Sequence, residues 1–393
     1  MSKPTEPIGV FLCGDVMTGR GIDQVLPHPG NPVLYEAHVR DARDYVRLVE
    51  CAHGPILRPV GFAYPWGDAL TELLRAGTDV RVINLETSIT SSADYGPDKA
   101  VLYRMHPRNV GCLTAARIDC CCLANNHVLD WGYPGLEETL QTLDAAGVAR
   151  AGAGRSAAEA ASPAVLDVAG KGRVLVFSLG SRTSGIPRAW GAANDRPGVH
   201  LLEDLSEETA RHIASRMRPV KRPGDVTIAS VHWGGNWGYD IPDEQIHFAH
   251  RLVEEGVDIV HGHSAHHVKT IEVYRDRLIL YGCGDFLTDY EGIHGHERFR
   301  GDLALMYLVE VDPCGGGLVG VRLVPLQSRK FRLTRVSAVD AQWLCHLLNE
   351  VGAPVGTQVV LADDNSMTLR WRRGPGIRRP TVRTGSGGRP HLN

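Results

Sequence analysis

The chain has 393 residues, 22% of them charged, and a formal net charge of −3, the make-up of an ordinary water-soluble protein of one large domain or two. Near-neutral charge gives no basis for a nucleic-acid or membrane-surface partner. No apolar run approaches the roughly 20 residues that span a bilayer, and the polar stretch Met1 to Pro7 has no secretory core, so a cytoplasmic chain is expected. The cysteines number nine, Cys120, Cys121 and Cys122 are consecutive, and no pair of C-x-x-C motifs occurs; this fits reduced, buried thiols rather than thiolate-bound zinc.

Ile8 to Cys13 reads as a buried strand running into Gly14-Asp15-Val16-Met17-Thr18-Gly19-Arg20-Gly21. A carboxylate at a strand end between glycines is placed either as a metal ligand or as a turn cap. Arg20 is placed to grip a substrate carboxylate or phosphate, or to lie on the surface. Residues 27–66 are rich in proline and weakly periodic, with one helical patch from Glu36 to Cys51. Their aromatics, Tyr35, Tyr45, Phe62, Tyr64 and Trp66, suggest an ordered lid or substrate wall.

A helix over Asp68 to Ala76 and a strand over Val80 to Ile83 lead to Asn84-Leu85-Glu86-Thr87, a second strand end with a carboxylate. A helix over Asn109 to Arg117 precedes an apolar strand, Ile118 to Ala124, that stops at Asn125-Asn126-His127. The amide oxygen of Asn126 suits a metal and the His127 imidazole suits proton transfer; the amides also suit a turn and a helix cap. Pro134 to Gly147 is an amphipathic helix. The alternation of strand and helix so far predicts a largely parallel sheet.

Strands are then expected at Val148 to Ala151, Ala164 to Val168 and Arg173 to Leu179, a surface loop at Ser181 to Val199, and a helix at Ser206 to Met217. The strand Asp225 to Val231 ends in His232-Trp233-Gly234. A helix over Glu244 to Glu255 leads to the strand Asp258 to Val260, which ends in His261-Gly262-His263-Ser264-Ala265-His266-His267. A hairpin, Ile271 to Tyr274 with Arg277 to Tyr281, ends in Gly282-Cys283-Gly284-Asp285-Phe286. Asp289, Glu291, His294, His296 and Glu297 crowd the loop beyond. Closing strands over Leu303 to Val311, Leu318 to Pro325 and Phe331 to Leu333, and a helix over Ala338 to Glu350, complete one domain of residues 1–372. Residues 373–393 are basic and Gly/Pro-rich and are expected to be disordered. No internal repeat, P-loop or Gly-x-Ser-x-Gly elbow is present.

The ordered set Asp15, Glu86, Asn126-His127, His232, His263 and His266 resembles the calcineurin-like metallophosphatase superfamily. More closely, Gly14-Asp15-Val16-Met17-x-Gly19-Arg20, Asn84-Leu85-Glu86-Thr87, Leu123-Ala124-Asn125-Asn126-His127-x-x-Asp130-x-Gly132, His232-Trp233-Gly234 and Gly262-His263-x-x-His266 resemble its CapA-like, poly-γ-glutamate capsule-synthesis branch. The resemblance covers about residues 8–330. It implies an α/β fold, a two-sheet sandwich flanked by helices, with the site at the strand ends. Met17 stands where phosphatases of the superfamily usually carry a histidine, and Asp285 where the branch commonly has asparagine.

Asp15, Glu86, Asn126, His232 and His263 are therefore expected to converge on one divalent cation. Three of these five donors are oxygens, which favours Ca²⁺, then Mn²⁺ or Mg²⁺, over zinc. His127 and His266 are the expected acid/base groups, with Asp130, Asp285 and Asp289 orienting them; His261 and His267 are expected bystanders. Arg20, Tyr64, Trp66, Trp233, His294 and His296 are expected to contact substrate. Soluble members of the branch include epimerases of lasso-type precursor peptides. The resemblance thus implies a metal-dependent peptide epimerase inverting a Cα centre, or alternatively a phosphoesterase or γ-glutamyl hydrolase. A precursor peptide is the expected partner, and the oligomeric state is left open.

Overall fold

The computed structural model of the protein describes residues 6–96, 99–291 and 295–372; the expected tail of residues 373–393 and His294 lie outside them. Every strand that ends in a candidate ligand is buried along both faces. In Ile8–Val16, Ile8, Val10 and Leu12 point one way and Phe11 and Cys13 the other, the period of two of an extended chain. The first set packs between two sheets, against Val174, Val176, Ile228 and Ile259. The second set packs outward on helices, against Ile22, Val46, Leu73 and Leu140. A third cluster joins Phe177, Leu179, Ala229 and Val231 of the other sheet to Ile213, Phe248 and Leu252 of the helices Glu207–Met217 and Asp243–Glu254. The layers are helix, sheet, sheet, helix, as the resemblance implies.

The larger sheet runs Thr357–Leu361, Met367–Trp371, Leu318–Ser328, Leu303–Val311, Ile8–Val16, Val80–Leu85, Cys120–Cys122, Ala149–Ala151. From Ile8–Val16 to Ala149–Ala151 it is parallel; on the other side it is antiparallel. The smaller sheet runs Ile271–Tyr274, Arg277–Leu280, Ile259–His263, Asp225–His232, Gly172–Gly180, Ala164–Val168, with its central strands parallel. Parallel strands release their carboxyl ends on one side, where open α/β sheets place their ligands. Among the described residues, no helix is long and apolar enough to cross a membrane.

Several expected boundaries move. The helix expected from Glu36 starts at Arg43 and ends at His53, because Val33 bridges Asp41 and Ala42 N donates to Pro32 O. The helix expected over Asn109 to Arg117 is a 3-10 turn, Pro107–Asn109, followed by Gly111–Ala115. The final closing strand is Leu333–Arg335. Residues 27–66 pack into the core. Tyr45, Val46, Val49, Ile56, Val60 and Trp66 sit in the core, and Tyr45 is the residue of this segment that reaches the cavity described below.

Candidate metal and acid–base site

Five strand ends and the loops that leave them meet at one end of the sandwich. Asp15 lies beside Asn84 and Asp285 in the larger sheet, and His232 beside His263 in the smaller one. Asn84 Nδ2 donates to Asp15 Oδ1 at 2.7 Å and to Glu86 Oε2 at 3.2 Å, and its Oδ1 accepts from Asn125 Nδ2 at 3.1 Å. Asn125 Oδ1 in turn accepts the backbone N–H groups of His127 and Val128 at 3.0 and 3.1 Å. Asn125 thus builds the turn, while Asn126 Oδ1 is 3.1 Å from His232 Nε2. Glycine is required at position 14: a Cβ there would lie 1.7 Å from the Gly284 carbonyl oxygen. That close approach lets Asp15 N donate to Gly284 O at 2.9 Å and sets the Asp15 and Asp285 side chains next to each other.

One atom each from Asp15, His232 and His263 lies within 4.8 Å of the others, all three residues being buried. His232 Nδ1 is 2.7 Å from His263 Nδ1, and Glu86 Oε1 is 3.9 Å from His232 Nε2. Burial lifts the Asp15 carboxyl to about 6 with Asp285 adding to it, although bonds from Glu86 and Asn84 oppose the rise. Burial and then Asp15 push Glu86 up. Burial also pushes His232 and His263 well down, so both imidazoles are neutral, the form that ligates metals. Two buried carboxylates that resist ionising together, beside two neutral imidazoles, form a donor set that a divalent cation completes. Asp15, Glu86 and Asn126 would supply oxygen and His232 and His263 nitrogen. Met17, at the position of the missing histidine, turns its sulfur to Gly19 N at 3.2 Å.

Beside this cluster opens a cavity of about 760 Å³, lined in part by Glu86, Asn126, His127, His266 and Asp285. Two imidazole–carboxylate pairs face it. His127 Nδ1 is 2.6 Å from Asp130 Oδ2, which leaves Nε2 as the acceptor. Asp130 is also held by Lys99 Nζ at 2.6 Å and by Tyr103 N at 2.7 Å. Burial, helped by Lys99 and Arg20 and opposed by Asp130, pushes His127 down to about 4. His266 Nδ1 is 2.9 Å from Asp285 Oδ1. There burial lowers the imidazolium but the Asp285 carboxylate outweighs it, and the net direction is upward.

The remaining expected site residues are placed differently. Arg20 lines the cavity, but its guanidinium is taken up by Asp289, Glu36 and Tyr45. Asp289 is fully buried, binds Arg20 and accepts from Gly21 N at 2.9 Å, and among the described residues it is bonded to no histidine. Trp66 and Trp233 are core residues away from the cavity, with ring N–H groups donated to Cys112 O at 2.8 Å and Tyr281 O at 3.0 Å. Tyr64 donates to Lys330 O at 2.9 Å and is likewise absent from the lining. His296 does line the cavity, stacked on Trp237 with ring centroids 4.1 Å apart. His261 is tied to Cys13 O at 2.7 Å, and His267 accepts from Gly238 N at 3.1 Å. Lys99, Tyr103, Trp237 and Tyr290 line the cavity without having been singled out as contacts. Tyr103 stacks on His127 at 3.9 Å, its hydroxyl bonds that of Tyr290, and the Tyr290 ring stands edge-on to His266 at 5.4 Å.

Comparison with known proteins identifies the family. Residues 9–290 match the family described as bacterial capsule synthesis protein PGA_cap. A protein of Mycobacterium tuberculosis named probable polyglutamine synthesis accessory protein is 47% identical over 370 residues, covering 94% of this chain and 97% of that protein. The PGA biosynthesis protein CapA of Bacillus subtilis is 25% identical over 312 residues, covering 79% of this chain and 70% of its own length. The capsule biosynthesis protein CapA of Bacillus anthracis is 27% identical over 287 residues, covering 73% and 61%. On its fold, the motifs at its strand ends and the family match, the chain belongs to the bacterial capsule synthesis protein family, the CapA-like branch of the metallophosphatase superfamily.

Proposed function

We propose that the protein is a metal-dependent acid–base enzyme that cleaves amide bonds of a glutamyl or glutaminyl polymer. The observation that carries this is the pair of imidazole–carboxylate dyads, His127–Asp130 and His266–Asp285, opening on one cavity beside the carboxylate–imidazole cluster. The substrate class is suggested by the names of the relatives, which speak of polyglutamine synthesis and PGA biosynthesis. A divalent ion held by Asp15, Glu86, Asn126, His232 and His263, with Ca²⁺ favoured over Mn²⁺ or Mg²⁺, would supply Lewis acidity and positive charge to a carbonyl oxygen.

The protein's own groups divide the proton work. His127 Nε2 takes a proton from the water that attacks the amide carbon. His266 gives a proton to the nitrogen as the C–N bond breaks, so the products are a carboxylic acid and an amine. Asp130 and Asp285 hold the rings and stabilise the charged imidazolium in each case.

The same two groups suit a second reading, epimerisation of a lasso-type precursor peptide. One imidazole with a bare nitrogen and one carrying a proton match the removal of a Cα proton and its return to the opposite face. The separating experiment incubates the metal-loaded protein with glutamyl and glutaminyl oligomers, and with candidate precursor peptides, in deuterated water. New amine ends without deuterium at Cα are expected. Deuterium at an inverted Cα with an intact chain would replace the hydrolase reading by the epimerase one, and neither change in any substrate would overturn both.

A further inference from the structure

We infer that the Tyr290 hydroxyl, held in place by Tyr103, donates a hydrogen bond to the reacting carbonyl oxygen of the substrate. This deepens the reading above, resting on an amide carbonyl as the reacting group, and adds a catalytic residue beside the two dyads. Tyr103 and Tyr290 bond to each other through their hydroxyls. Two hydroxyls bring two hydrogens, and the bond between them uses one. Among the described residues neither hydroxyl is bonded to any other group, so the second hydrogen is left to the cavity that both residues line. Burial pushes both phenols up, outweighing the opposing Arg20 guanidinium, so both keep their hydrogens at neutral pH.

Packing decides which phenol points its hydrogen outward. Tyr103 is 4% exposed; the His127 ring stacks on it at 3.9 Å, and the Arg20 guanidinium lies 4.8 Å from its centre. Tyr290 is half-buried, edge-on to His266 at 5.4 Å, and its backbone N donates to Thr288 Oγ1 at 3.2 Å. Tyr103 therefore donates to Tyr290, and Tyr290 donates into the cavity. The outward hydroxyl then stands between the two imidazoles that would move protons. Both readings build negative charge on the carbonyl oxygen, at a tetrahedral carbon in hydrolysis and at an enolate in epimerisation. A fixed neutral donor in a buried site stabilises that charge without giving up its proton, and the bond from Tyr103 polarises the donor further.

The probe is a γ-linked glutamyl dimer in which a ketomethylene group replaces the amide, with carbon-13 at its carbonyl. It cannot be cleaved at that bond. Isotope-edited infrared spectroscopy on the Ca²⁺-loaded full chain reads its C=O stretch, and calorimetry its affinity. Tyr290→Phe is expected to raise the stretch toward the free value and to weaken binding about threefold to tenfold. Tyr103→Phe keeps the donor and removes its partner, so the stretch should move less. Ca²⁺ affinity should be unchanged in both. If Tyr290→Phe fails to hold Ca²⁺, Tyr290→fluorotyrosine takes its place: the more acidic phenol should lower the stretch. A bound probe whose stretch neither Tyr290 variant moves, or which Tyr103→Phe moves more, would overturn the inference alone. A moved stretch without cleavage of the matching amide dimer keeps the inference and removes the hydrolase reading. No binding to the unchanged protein would overturn both.

Discussion

The two imidazole–carboxylate pairs have the same composition and opposite poise. His127 and His266 are each within 3 Å of an aspartate, yet one is driven down to about 4 and the other upward. The difference lies in what else the carboxylate serves. Asp130 is shared among His127, Lys99 and Tyr103 N, and the Lys99 ammonium stands 3.2 Å from His127 Nδ1. Asp285 gives both oxygens to His266, at 2.9 and 3.1 Å, and no lysine or arginine is bonded to it among the described residues. A carboxylate already neutralised by a cation orients an imidazole without charging it.

The largest effect is expected from breaking the pair that holds its proton. Asp285→Asn leaves burial to dominate at His266, so the imidazole becomes neutral and the acid is lost. A fall in kcat of about a hundredfold or more at pH 7 is expected, within the range of general acid catalysis. In the unchanged protein His127 is neutral above about pH 4, and His266 stays charged until pH rises through its elevated value. The rate should therefore have an acid limb near 4 and an alkaline limb above 6.5, and Asp285→Asn should move the alkaline limb down.

Asp130→Asn tests the other pair, with a second consequence. It leaves one acceptor oxygen where two served, so one of Lys99 and the backbone N–H of Tyr103 loses its acceptor in a buried site, for a loss of roughly 1–3 kcal/mol in chemical denaturation. Among the described residues no backbone donor is bonded to the Asp285 side chain, so the matching change there should cost less stability.

Ion binding separates the cluster from both pairs. Asp15 and Glu86 must lose protons to ligate, and their carboxyls are raised. Affinity for Ca²⁺ or Mn²⁺ should therefore fall as pH drops through about 6, by about tenfold per pH unit for each proton displaced. Titrations at several pH values, with protons released counted in two buffers, measure this. The smallest effect is expected from Lys99→Met. Without the ammonium the His127 imidazolium is less opposed, so the acid limb should move up by a fraction of a unit to about one unit while the alkaline limb stays.

The gathering of Asp15, His232 and His263 was legible because each stands at the end of an apolar run: a buried strand that stops at a polar group announces a strand end, and parallel topology gathers such ends. Tyr103 and Lys99 lie in residues 90–106, where the described residues form only the two-residue strand Arg104–Met105 and no periodicity marks a wall. Trp66 and Trp233 misled for the opposite reason. An aromatic beside a site motif reads as a contact, but each indole N–H found a backbone carbonyl within the core, which allows full burial. The strands Thr357–Leu361 and Met367–Trp371 escaped notice because they lie at the sheet edge with alternate residues exposed, so their apolar content is thin.

The contact between Gly14 and Gly284 has a consequence for how this site can vary. Asp15 follows one glycine and Asp285 the other, and the backbones touch where any side chain would intrude. A single methyl group at position 14 would push Asp15 and Asp285, the partner of His266, apart in one movement. On the proposed function, ion binding and proton donation would then not drift independently: a lineage that fills this gap would lose both, and one that retunes either would do so from the outer faces of the two aspartates.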